Sequence, residues 1–205
     1  MKSQPFAGDN LPSFAKIIEV RVPELRRLFN SMDPAPFRSR DLDPSAEEFI
    51  VSAGKELPRD AVLGLLVHLE RPAGLPNEAE VLREALHQFF GAQATLTRRR
   101  LKELFRRGRI SLLIGLAFLG AAIGAHELIE SWTHPSGFMT VLRESLVIGG
   151  WVAMWRPIEV FLYDWWPIRA EARLYDRLAA MPVAIRYATD KSSDAWRNDW
   201  PVAPR

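Results

Sequence analysis

The segment Ile110 to Ile129, ISLLIGLAFLGAAIGAHELI, constrains this chain more than any other. Residues 110–125 carry no charge. At about 1.5 Å per residue, a helix of ~20 such residues is about 30 Å long, the thickness of a bilayer core. The flanks are unequal. Arg98, Arg99, Arg100, Lys102, Arg106, Arg107 and Arg109 precede the run, whereas Glu127, Glu130 and His134 lie at or beyond its far end. The positive-inside rule predicts that the basic side faces the cytoplasm. The competing expectation is a soluble protein that buries this helix. A soluble core helix seldom needs so long an uncharged run with a basic collar.

A second apolar stretch runs from about Leu142 to Trp166, after the Pro135 and Gly137 turn. Arg143, Glu144, Arg156 and Glu159 interrupt it, and Arg169, Arg173 and Arg177 follow. The two stretches predict a transmembrane helical hairpin over 110–166 with both termini inside. The preferred register for the second span is Ser145 to Tyr163. Arg156 then lies roughly 10 Å from its inner end and must snorkel. The alternative, Phe138 to Trp155, turns Arg156-Pro157 into a boundary followed by an aromatic belt. Arg156 and Glu159 are three apart, so they share a helix face and are expected to pair.

Small residues recur at steps of four: Gly120 and Gly124, Ala117, Ala121 and Ala125, and Ser145, Gly149 and Ala153. In lipid such stripes let helix backbones approach closely. They are expected either to close the hairpin or to meet another molecule.

The formal net charge of +2 hides an asymmetry. Residues 1–97 hold 11 Lys+Arg against 14 Asp+Glu, and the remainder holds 16 against 11. The basic excess is concentrated in RRRLKELFRRGR, residues 98–109. Leu101, Leu104 and Phe105 give this arm an apolar stripe, expected of a helix lying against anionic headgroups. A purely topogenic role is the plainer expectation, and nucleic acid is not the expected partner. The chain has no Cys, which excludes disulfides and thiolate chemistry. MKSQPFAGDNLPSFAK lacks the apolar core of a signal peptide, so residues 1–13 are expected to be a flexible start.

Residues 14–94 are expected to form a small cytoplasmic α/β domain, in an α+β chain overall. KIIEVRV alternates as a half-buried strand. Pro23 opens an expected helix with Leu25, Leu28, Phe29 and Met32 on one face. Asp43 caps a helix beginning at Pro44, and AVLGLLVHL reads as a buried strand. Asn77 caps a helix over 78–90, which meets an expected break at Gly91. A basic juxtamembrane helix over 95–109 follows. Beyond the hairpin, residues 167–186 are expected to be a cytoplasmic helix and 187–205 a loose tail, with Trp196 and Trp200 as anchors. Two strands make a weak sheet, so pairing between subunits, or with another protein, is expected to complete it.

The stretch RVPELRRLFNSMDPAPFRSRDLDPSAEEFI, Arg21 to Ile50, resembles one in uncharacterised bacterial proteins with a C-terminal membrane hairpin. The resemblance implies a bacterial membrane protein, and it brings no activity and no site residues.

Candidate chemistry is sparse. His126, Glu130 and His134 are spaced by four, and their donor types suit zinc or iron. Glu130 stands where the zincin signature needs His, so that motif is absent. A polar exit from the membrane explains the cluster without a metal. Arg38, Arg40, Asp41 and Asp43 could grip a phosphate, or form a solvated loop whose Asp43 caps a helix. His68 and His87 sit alone in apolar surroundings, as core histidines do. There is no phosphate-binding glycine loop, nucleophile elbow or paired catalytic carboxylate, and no cofactor is expected.

The sequence therefore predicts a bacterial inner-membrane accessory, assembly or scaffold protein, working through homo-oligomeric or other membrane-protein contacts. One rival is a membrane enzyme or transport component using Arg156 and Glu159, or a metal at His126, Glu130 and His134. Another is an anionic-lipid sensor working through the basic arm.

Overall fold

A computed structural model describes residues 6–30, 32–33, 40–72, 74, 77–132 and 137–187. The backbone alone is described at 126, 128–132, 138–140, 142, 143, 146 and 147. The elements are β1 (Phe6–Gly8), β2 (Lys16–Val22), a 3-10 turn (Leu25–Leu28), α1 (Pro44–Glu56), β3 (Leu63–Leu69) and α2 (Glu78–Trp132). Then come α3 (Gly137–Glu159), a π-helical turn (Val160–Asp164), α4 (Trp165–Ala179) and β4 (Val183–Tyr187). The fold is α+β and divides into two compact units. One holds Met1–Thr95 with Ala172–Arg205, the other Leu96–Glu171.

The first unit is a four-stranded sheet in the order β1-β4-β3-β2. β2, β3 and β4 are parallel, and β1 runs antiparallel along β4. The register aligns Ile18 and Val20 with Leu65 and Val67, and those with Val183 and Ile185. All six are buried on one face. Both crossovers step across the sheet in the same direction. Right-handed connections then put their helices on the same face. The shared core bears this out. Ile50 of α1, Leu82, Leu86 and Phe90 of α2, and Leu174 and Leu178 of α4 join that one cluster. Asp43 caps α1 as expected, its Oδ1 accepting from the Ser45 amide at 2.9 Å with Pro44 at the first helical position.

Several expectations are corrected. The start is not wholly flexible, because β1 pairs with β4 and Asp9 fixes its end. Asp9 Oδ2 accepts from the Val183 amide at 3.1 Å, and Oδ1 pairs with Arg83 at 2.8 Å. Gly8 allows this, with φ of 110° and the Val183 carbonyl 2.6 Å from where a Cβ would stand. The helix expected after Pro23 is only the Leu25–Leu28 turn, and Met32 is exposed. Phe29 turns extended and bridges to Leu42, while the Asn30 side chain accepts from the Met32 amide. Such a side chain competes with the helical ladder. Gly91 does not break α2, whose neighbours are good helix formers. Residues 167–186 are not one helix: α4 ends before Pro182, and VAIRY forms β4.

β4 and β1 complete the sheet from within the chain, so a strand from another subunit is not needed. His87 is half-buried beside the core, with Nε2 2.8 Å from the Met181 carbonyl oxygen. The half-buried Tyr187 hydroxyl donates to Glu78 at 3.0 Å, and desolvation together with that carboxylate pushes its pKa up to about 12. Leu65 sits at the centre of the core and is fully buried. Leu65→Ala is expected to cost about 2–5 kcal/mol, measured by denaturant unfolding.

Candidate membrane hairpin and its basic collar

The second unit is built on the antiparallel contact of α2 with α3. A Cβ placed on Gly108 would stand 2.8 Å from Val160 Cγ1. One on Gly115 would stand 3.2 Å from the Ala153 carbonyl oxygen, and one on Gly150 2.7 Å from Leu119 Cδ1. Among the described residues, Gly108, Gly115 and Ala122 are the buried positions of this part of α2. They recur every seven residues, the period of left-handed helix packing. Pro157 sharpens the contact. Lacking an N–H, it leaves the Ala153 carbonyl without its helical donor. That carbonyl faces Gly115, whose Cα hydrogens suit a weak C–H···O contact.

The expected packing residues are therefore partly replaced. Ala153 lies in the seam and Gly149 at its rim, 3.7 Å from Phe118 as judged from its Cβ position. Ser145 and Gly120 are exposed. Among the described residues, nothing lies within 4 Å of a Cβ at Gly120 or Gly124. The four-residue stripe on α2 thus points away from the seven-residue seam. Sequence reading missed Gly108, Gly115 and Gly150, although the seven-residue spacing of small residues was there to find.

These contacts place residues 110–125 level with about 143–158 of α3, between the two registers expected from sequence. Arg156 sits near the Arg109 end. Its Nη1 donates to Glu159 Oε2 at 2.8 Å and stands 3.8 Å from Asp164 Oδ2. The Arg156–Glu159 pair forms as expected and is largely exposed. The π-helical turn follows directly and brings Asp164 to the same guanidinium.

The outer surface of the hairpin is apolar. Leu113, Ile114, Leu116, Ile123, Ile148, Trp151 and Val152 are all exposed. Among the described residues, α2 is the one helix long and apolar enough to cross a membrane. Only 17 % of that apolar window is buried, the reverse of a soluble core helix.

All seven cations of the basic arm are exposed. Glu103 is shared at 3.8 Å by Arg106 and Arg107. The arm does not form a separate helix. It is the same helix as the apolar run, and Leu101, Leu104 and Phe105 are half-buried. Phe105 lies 6.1 Å from Phe161 and 6.4 Å from Trp165, centroid to centroid. Arg169 covers the Trp165 ring at 5.6 Å.

The remaining candidates stay dispersed. His134 lies outside the described residues, as do the side chains of His126 and Glu130. No group of three potential metal ligands occurs among the described residues. Arg38, Trp196 and Trp200 also lie outside them. Asp41 donates its amide to Asp33 Oδ2 at 2.8 Å, and the Glu47 pKa is raised by burial and then by Asp41. That density of carboxylate disfavours a bound phosphate.

His68 is not a core histidine. It lies on the sheet face opposite the helices, in a row with Arg21 and Arg186. Its Nε2 is 3.3 Å from Glu19 Oε2, without hydrogen-bond alignment. Burial lowers its pKa; Glu19 opposes the shift, and Arg186 and Arg21 add to it. Comparison with family models, curated proteins and solved structures gives no match.

Two outcomes follow from this geometry. Gly115→Leu is expected to lower the melting temperature in detergent, with an overpacking cost of about 1–3 kcal/mol, whereas Gly120→Leu leaves it nearly unchanged. The folded state favours neutral His68, so its contribution is present above the unfolded pKa and lost as pH falls through the lower folded one. Melting between pH 7 and 5 is therefore expected to fall more steeply in the wild type than in His68→Gln.

Proposed function

We propose that this chain is a bacterial inner-membrane accessory, assembly or scaffold protein. The hairpin of α2 and α3 anchors it, and the sheet unit and both termini lie in the cytoplasm. It acts by presenting surfaces to other membrane proteins or to further copies of itself. The observation that carries this reading is the exposed apolar skin of the hairpin, bounded by cations at one end. Arg156 is engaged by two carboxylates, which favours an anchoring role over catalysis or transport.

The cysteine-free sequence offers a direct test. In intact cells, Gly137→Cys is expected to react with a membrane-impermeant maleimide. Ser52→Cys, exposed on α1, is expected to react only after permeabilisation. Reaction of both in intact cells, or release of the protein by alkaline carbonate, would overturn the placement. Mild-detergent affinity purification then reads out the partners.

A further inference from the structure

We propose that Arg106, Arg107 and Arg109 form a headgroup site for anionic phospholipid at the inner end of the hairpin. The proposal rests on the membrane placement above and goes beyond it. Three features converge on this level of the hairpin. The first is unbalanced charge: Glu103 is shared by Arg106 and Arg107, and Arg109 has no ion pair among the described residues. Arg156, on the facing helix, is already engaged by Glu159 and Asp164. The second is a set of exposed amphipathic rings on the facing chain. Trp155, Tyr163 and Trp166 are 72, 69 and 64 % exposed, and such rings prefer the headgroup region. The third is the direction of the arm. Because the arm and the apolar run belong to one continuous helix, depth along its axis decides which cations meet the headgroups.

Arg109 adjoins the apolar run, and Arg106 lies about 6 Å below it. Arg98, Arg99 and Arg100 lie about 15–18 Å below it. That exceeds the Debye length of about 8 Å at physiological ionic strength. A purely topogenic collar would count both groups alike, since the orientation rule reaches some 15–20 residues from a span. A lipid site depends on the near group alone.

The test reconstitutes the full chain in vesicles of equal phosphatidylcholine and phosphatidylglycerol. After gentle detergent extraction, retained lipids are counted by native mass spectrometry. Both leaflets have the same composition, so orientation does not affect the readout. The wild type is expected to retain phosphatidylglycerol in clear preference. Each near-surface cation is worth about 1 kcal/mol, roughly fivefold, so R106Q/R107Q/R109Q is expected to abolish the preference. R98Q/R99Q/R100Q is expected to keep it within about twofold. No preference in the wild type, or equal loss in both triple variants, would overturn the site. Inorganic phosphate is expected to displace no more lipid than sodium chloride at equal ionic strength. Stronger displacement would mark a free-phosphate site and also overturn the proposal. Protein that washes off the vesicles at alkaline pH defeats the membrane placement itself. Protein that stays and shows no preference defeats only the lipid site.

Discussion

The parallel pairing of β3 with β4 is the constraint on which the rest of the structure depends. Roughly a hundred residues separate the two strands, and the whole hairpin lies in that excursion. Loop-closure entropy rises only logarithmically with length, so a long insertion costs little more than a short one. The ladder needs a well-buried partner surface to hold it. Leu65, Val67, Val183 and Ile185 supply that surface, together with α1, α4 and the start of α2. The hairpin is therefore an insertion within a crossover that would otherwise be an ordinary strand–helix–strand unit.

Elements whose signal is local were legible in the sequence. β2 alternates over seven residues, β3 is continuously apolar, and α1 carries its cap and its proline. β4 also alternates, but it follows a strongly amphipathic helix and was absorbed into it. β1 is three residues long and exists only because β4 accepts it. No local pattern can announce such a strand. The expected break at Gly91 failed for the opposite reason: one glycine costs about 1 kcal/mol, and a long helix with good neighbours absorbs that.

In the hairpin, sequence reading recognised the right chemistry at the wrong period. Small residues do close the helix pair, but at steps of seven from Gly108. The steps of four that include Gly120 and Gly124 are left on another face. The two periods coexist on one helix because 3.6 residues per turn divides neither seven nor four evenly. The charged pair at Arg156 and Glu159 was legible because three-residue spacing fixes it locally. Asp164 was not, because a π-helical turn must shift it into reach.

The placement of β4 also fixes an order of events. During synthesis the chain emits β1, β2, α1 and β3 before any of the hairpin, and β4 only after all of it. Among the described residues β1 pairs with β4 alone, so the first strand made is among the last to find its place. Until the hairpin has been delivered, the unfinished sheet exposes the edge of β3, with Val67 and Leu69 uncovered on one side. The completed sheet is thus a record that the apolar excursion has been made and has returned. A chain that stopped before β4 would keep that edge unpaired, and an unpaired strand edge is a template for pairing with other chains.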